Sequence, residues 1–258
     1  MDFSLKRIGY LTLLGAVLLI NFSCKKNQEV IVSTIQTRGG LALTFDDYNV
    51  DNWHKYMYLL DSLKIKATFY VSNYNKLNAA QKNKLRELEQ HGNEIAFHST
   101  NHVNFLKYKE NYKTFEKLMD EEVFKGLTLM NNDGFYPTTF AYPYGQHNEI
   151  LDKHLLKYFK SVRALNGNGD INKSLASLDN NKIIYGYGLD DIRDRDISKI
   201  EGMLETAREK NSCAVLLVHN IEKPEIKLQL PLETLRRFLI KAKSLDLNFY
   251  TISEISTK

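Results

Sequence analysis

The chain has 258 residues, 43% of them hydrophobic, and a formal net charge of +4. This composition suits a folded domain with a sizeable core and excludes a disordered or fibrous chain. The basic residues are spread out rather than gathered into a stripe, which speaks against nucleic acid as a partner, and two cysteines, Cys24 and Cys213, are too few for a disulfide framework.

The first predicted element is a targeting segment. Lys6 and Arg7 precede an apolar run from Ile8 to Ile20, too short for a comfortable membrane span, which closes on Asn21-Phe22-Ser23-Cys24. The pattern resembles a bacterial lipoprotein signal, although Asn21 stands where such signals usually carry Leu. It implies a leader over 1–23, lipidation of Cys24, a tether over 24–39 and a single folded domain over 40–258. An ordinary cleaved signal peptide or an uncleaved anchor is the alternative. The lipoprotein reading places the protein in the cell envelope, lipid-anchored to a bacterial membrane on its periplasmic or surface side.

Short apolar runs then alternate with amphipathic stretches. Strands are predicted at 41–45, 67–71, 94–98, 138–142, 161–165, 183–187, 213–218 and 248–252, where β-branched and aromatic residues gather. Helices are predicted between them. Trp53, Tyr56, Met57, Leu59, Leu60 and Leu63 lie on one helical face, and further helical patterns cover 78–90, 109–130, 148–158, 196–210 and 231–246. Pro231 suits the first turn of the last helix, Asn166 to Asp170 reads as a loop, and Cys213 reads as a small buried hydrophobe. Regular strand–helix alternation implies a parallel sheet covered by helices, and seven to eight such strands imply an α/β barrel.

The residues with chemistry fall at strand ends. Asp46-Asp47 close the first strand, His98-Ser99-Thr100-Asn101-His102 the third, Tyr142-Pro143-Tyr144-Gly145 the fourth, and His219 the seventh, with Asp190 and Asp191 after the sixth. In a parallel barrel these ends open on one face. Adjacent carboxylates at the end of a buried strand need a partner, and two acids with a His-x3-His can build an Asp/His/His metal site with a carboxylate to spare.

Taken singly, each motif has a plainer explanation. Asp46-Asp47 suits a helix N-cap, the His pair a surface turn, and His219 a satisfied core histidine. Their order overturns these. Thr44-Phe45-Asp46-Asp47, the His98–His102 motif, Phe140-Ala141-Tyr142-Pro143-Tyr144-Gly145 and Leu217-Val218-His219 resemble the successive motifs of the polysaccharide deacetylase family, also called the NodB-homology group or carbohydrate esterase family 4. The resemblance spans about residues 40–255.

It implies a distorted (β/α) barrel of about seven to eight parallel strands. It further implies a metal-dependent hydrolase that removes N-acetyl groups from an N-acetylated envelope or extracellular polysaccharide built of N-acetylglucosamine-type units. By motif position Asp47, His98 and His102 resemble the metal ligands, Asp46 the general base, the Tyr144 backbone N–H an oxyanion donor with Tyr142 beside it, and His219 the general acid. Zn²⁺ is the expected cofactor by ligand type, with Co²⁺ or Ni²⁺ also suited.

The chain departs from the family pattern twice. Ala141 stands where the family usually has an Arg paired with the catalytic Asp, and Arg163, near the end of the next strand, is the candidate replacement. The usual Asp near a Trp is also absent from its place. Asp190, or Asp191 or Asp194, could orient His219 instead. Tyr187 could line the acetyl pocket, since the single Trp, Trp53, lies elsewhere. Tyr48, Tyr74, Tyr142 and Tyr144 are the candidates to face sugar rings. The competing functions are an O-acetyl esterase on xylan-like glycans and a glycan-binding module with a degenerate site. A glycosidase needs a carboxylate pair and no histidines, and it fits less well.

Overall fold

The computed structural model describes residues 38–166, 170–190, 194–223 and 227–256. The leader over 1–23, Cys24 and nearly all of the tether over 24–39 lie outside the described residues, as does Asp191. Among the described residues no helix is long and apolar enough to cross a membrane.

Seven parallel strands close into a barrel. In chain order they are β1 (Gly40–Asp47), β2 (Thr68–Val71), β3 (Glu94–Phe97), β4 (Thr139–Ala141), β5 (Ser161–Leu165), then, after the two-residue β6 (Leu175–Ala176), β7 (Ile183–Gly188) and β8 (Cys213–Val218). β1 pairs with β2 on one side and with β8 on the other, which seals the cylinder. β6 is an antiparallel addition to β8. The sequence pattern predicts an eighth stave at 248–252. The structure gives only the short strand Asn248–Phe249, which pairs with Gly40 and Leu41 below the point where β2 begins. The edge of β1 is shared between them, so the last strand closes no gap, and Ile252 instead starts a short helix that ends at Ile255.

Apart from β7, whose outer face is partly open, the barrel strands are buried on both faces, as parallel strands under helices are. Period-two alternation sorts their residues. On β1, Leu41, Leu43 and Phe45 pack outward in the large layer beneath the helices, while Ala42 packs inward in a small cluster with Tyr70, Ala96, Ala141, Ile184 and Val215. Ile252 and Ile255 belong to that inner cluster and fill the barrel from below. Glu94 ties them in, accepting hydrogen bonds from the Thr68 and Thr139 hydroxyls and from the Ser253 N–H. Its burial pushes the carboxyl pKa up.

Local chemistry explains the helix boundaries. Asn78 and Gln81 form a reciprocal capping box before the helix Ala79–Gln90, and Leu85 and Leu88 are its buried stripe. Pro231, read from sequence as a first-turn residue, sits one position earlier, at the N-cap of Leu232–Ser244. The helix predicted over 109–130 is broken into Tyr108–Tyr112, Phe115–Met119, a π-helical turn Asp120–Phe124 and Lys125–Asn132.

Candidate metal centre

Asp47, His98 and His102 come together at the C-terminal face of the barrel. One ligand atom from each lies within 4.8 Å of the others, and no further group of three such residues occurs among the described residues. His102 Nε2 is 3.1 Å from Asp47 Oδ1, and His98 Nε2 is 3.8 Å from the same oxygen. That oxygen is buried and has no aligned hydrogen-bond donor. An acceptor oxygen and two imidazole nitrogens converging without bonding one another are the donor set of a divalent cation, so the residues present fit one.

Each ligand is prepared for that role. His98 Nδ1 lies 2.8 Å from the Ala141 carbonyl oxygen. A carbonyl only accepts, so Nδ1 carries the proton and the Nε2 lone pair faces the acids. Burial is the main reason the His98 pKa falls to about 4, against the pull of Asp46, so the ring is neutral at physiological pH. For Asp47, burial alone would raise the pKa. The adjacent His102 ring, and the charge that His98 and His219 carry when protonated, outweigh it and bring the carboxyl down to about 2.

The backbone here is unusual. Asp47, Ser99, His102 and Tyr144 all have positive φ, at 85°, 65°, 57° and 61°. Non-glycine residues hold that conformation at a cost and cluster at functional sites. Gly145 shares it at 67°, and a Cβ there would lie 2.3 Å from Leu165, so the turn after β4 requires glycine.

Asp46 lies beside the cluster, 3% exposed, with Oδ2 3.6 Å from His98 Nε2. Arg163, fully buried, donates from Nη2 to that same oxygen. β4 and β5 explain the approach, because Ala141 and Arg163 are register partners. Arg163 therefore reaches Asp46 from the same face of the sheet that Ala141 occupies. Small neighbours make room for it: Ala141 on one side and Gly186 on the other, where a Cβ would sit 3.2 Å from Arg163 Cδ. Asp46 Oδ1 is buried with no hydrogen-bond partner among the described residues.

His219 is held by Asp190 at two points. Its N–H donates to Oδ1 at 3.0 Å, and Nδ1 lies 2.6 Å from Oδ2. Burial opposes the charged ring, but the Asp190 bond and the charges of Asp46, Asp190 and Asp47 prevail and raise the pKa to about 9.

Other predicted residues are placed differently. Tyr142 is 0% exposed and its hydroxyl donates to Asp152 at 2.8 Å. Strand alternation turns it away from the barrel interior that Ala141 faces, so it supports the turn from beneath and offers no face to a sugar. Tyr74 is likewise buried, its hydroxyl on Asp133. Tyr48 and Tyr144 are exposed, and the Tyr144 ring lies 4.9 Å from that of His102. Tyr187 packs in the outer layer under Lys199, because Gly186 and Gly188 take the inward positions of β7. It cannot line a pocket inside the rim. An open cleft of about 530 Å³ begins at His102 and Tyr144 and is lined further by Asn104, Lys107 and Gln146.

Sequence reasoning missed Trp53. It sits in the helix directly after β1, packs at a tilt against Phe45 and Phe69, and donates from Nε1 to the His219 carbonyl at 2.9 Å. Nothing in the linear pattern joins residues 53 and 219. Trp53→Phe is expected to cost roughly 1 kcal/mol or more by leaving that carbonyl without its donor, read as a lower unfolding midpoint.

Residues 35–159 match the family model described as polysaccharide deacetylase. No curated protein matches the chain. Similar solved structures include one described as a polysaccharide deacetylase from Mycobacterium smegmatis, 16% identical with a TM-score of 0.60, covering 87% of this chain and 91% of that one. The Xyl-CE4 domain of a multidomain xylanase from the hindgut metagenome of Trinervitermes trinervoides is 18% identical, with a TM-score of 0.56 and coverage of 84% and 89%. A family 4 carbohydrate esterase from Streptomyces lividans, in complex with acetate, is 18% identical, with a TM-score of 0.52 and coverage of 84% and 94%. At these identities the structural likeness carries the fold.

Proposed function

The chain belongs to the polysaccharide deacetylase family, and from that premise we propose that it is a metal-dependent hydrolase removing N-acetyl groups from a polysaccharide of N-acetylglucosamine-type units in the cell envelope. One observation carries the reading: the Asp47, His98 and His102 donors are flanked by a carboxylate with an unused oxygen, Asp46, and by a charged imidazole, His219.

Asp47, His98 and His102 hold the cation. When bound, it supplies Lewis-acid polarisation of the acetyl carbonyl and a lower pKa for water. Zinc fits the donor types, with cobalt or nickel also suited. Asp46 Oδ1 accepts the proton of the attacking water while Arg163 keeps Oδ2 engaged. The Tyr144 backbone N–H steadies the oxyanion. His219, protonated and with Nδ1 engaged by Asp190, delivers a proton from Nε2 to the departing nitrogen. The products are acetate and a free amine on the sugar. The leader pattern that ends at Cys24 supports lipid attachment to a bacterial membrane, testable by metabolic labelling with a fatty-acid analogue and its loss in Cys24→Ala.

The test is acetate release by the purified protein from chitooligosaccharides, poly-N-acetylglucosamine, peptidoglycan and acetylated xylan, with added zinc and with chelator. Chelator-sensitive release from a GlcNAc polymer is expected. Bound metal with no release from any substrate would sink the reading and favour a glycan-binding module.

His219 separates amide from ester chemistry. An amine leaves poorly without a proton, so His219→Ala is expected to slow amide hydrolysis about 10²–10⁴-fold and to slow an acetyl ester far less. Full activity in His219→Ala would favour O-deacetylation. The general acid works while protonated, so amide turnover falls as pH rises past the His219 pKa. Asp190→Asn removes the main stabiliser of that charge and is expected to move the alkaline limb of kcat/KM to lower pH.

A further inference from the structure

We infer that Glu122 is the positioning residue for the loop Ser99–His102, which joins the two candidate histidine ligands, and that its contact with Asn101 sets the affinity of the site for its cation. The inference rests on the reading of Asp47, His98 and His102 as metal ligands.

The loop Ser99–His102 is held from outside itself. Two of its ends have positive φ, Ser99 and His102, and its internal tie is a single bond from the His102 N–H to Ser99 Oγ at 2.9 Å. Such a loop keeps its shape only when its surroundings over-determine it. Those surroundings are Glu122. Its Oε2 accepts from the Asn101 backbone N–H at 2.9 Å, and its Oε1 accepts from Asn101 Nδ2 at 2.8 Å and from the Tyr112 hydroxyl. Its own backbone carbonyl accepts from the Thr100 N–H at 3.0 Å. Thus two consecutive loop amides, both just before His102, end on one residue.

Glu122 reaches them because of where it sits. It is 0% exposed and lies in the middle of the π-helical turn Asp120–Phe124. A π turn inserts an extra residue, interrupts the regular helical ladder and re-aims the groups around it. One turn on, Gly126 lets the helix close on the loop, since a Cβ there would come within 2.6 Å of Thr100 Oγ1 and 2.7 Å of the Phe97 ring. A carboxylate is required by the donors it meets. All are N–H or O–H groups at both oxygens, and an amide would present a donor at one end.

The test is a charge swap read by metal binding. Asn101 is exposed, so Asn101→Asp leaves the core intact. It sets a second carboxylate against Glu122 and forces the loop away. Affinity for cobalt(II) or zinc, measured on the metal-free protein against a competing chromophoric chelator, is expected to fall roughly tenfold or more, as when a group orienting a ligand is lost. Adding Glu122→Gln turns an amide N–H toward the new carboxylate, its oxygen keeps the backbone N–H of residue 101, and the Tyr112 hydroxyl, which can accept as well as donate, accepts from the amide, so Asn101→Asp with Glu122→Gln is expected to return to within about threefold of the wild type. Circular dichroism melts of the metal-free variants check that each is folded. Wild-type affinity in Asn101→Asp, or a double variant no tighter than the single one, would overturn the inference. A wild-type protein that takes up no metal overturns the metal reading and this inference with it, and is recognised before any variant is made.

Discussion

Asp46→Asn is expected to lower acetate release by roughly 10³-fold while metal uptake stays at its wild-type stoichiometry. The substitution keeps the shape of the side chain and removes its ability to take a proton. Asp46 is not one of the three clustered ligand residues, so the cation site keeps its donors. The variant should also be less stable than the wild type. Arg163 is fully buried and Asp46 is its ion-pair partner, and an amide leaves that charge without compensation, which in comparable buried pairs costs about 3–5 kcal/mol. Assays therefore belong below the variant's unfolding midpoint, with a melt beside each rate. Activity within tenfold of the wild type, with the protein folded and metal bound, would remove Asp46 from the role of base.

The second large effect concerns Arg163. Arg163→Ala strips Asp46 of its partner and opens space among Tyr70, Ala141 and Gly186, where the guanidinium carbon lies 5.1 Å from the Tyr70 ring centroid. A stability loss of about 3–5 kcal/mol is expected from the broken buried pair, with turnover reduced about 10²-fold. The informative experiment is the rescue. Ala141 and Arg163 are paired across β4 and β5, and register partners on adjacent parallel strands face the same way. Ala141→Arg combined with Arg163→Ala moves the charge to the position where the family usually carries it. It should recover at least tenfold of the lost activity. Arg163→Ala with unchanged turnover and an unchanged pH profile, or a double variant no better than the single, would show that the pair does not serve catalysis.

Much of the architecture is legible in the linear sequence, because it follows from local rules. Each of the eight predicted strand regions contains a strand, and seven become staves. The apolar runs are short, β-branched and separated by helical periodicity, and those signals depend on near neighbours alone. The ligand cluster is legible for a related reason. Asp46-Asp47, His98-x3-His102 and His219 stand at strand ends, and a parallel barrel brings strand ends to one rim whatever the loops between them do.

What the sequence could not reveal depends on register and facing. Tyr142 and Tyr144 are two residues apart in one motif, yet one is buried beneath the turn and the other exposed beside His102. Tyr187 is turned outward by the same alternation that gives Arg163 its space at Gly186. A one-residue shift in register would exchange these outcomes. The partnerships of Trp53 with His219 and Glu122 with Asn101 join residues 166 and 21 positions apart, whereas that of Arg163 with Asp46, 117 positions apart, is the one expected from the alanine at 141. The sequence by itself determined the strands, their alternation with helices and the set of acids and histidines at the rim. Only the tertiary structure decided which side chain meets which, because a cross-strand neighbour is chosen by the closing of the barrel and leaves no local pattern in either segment.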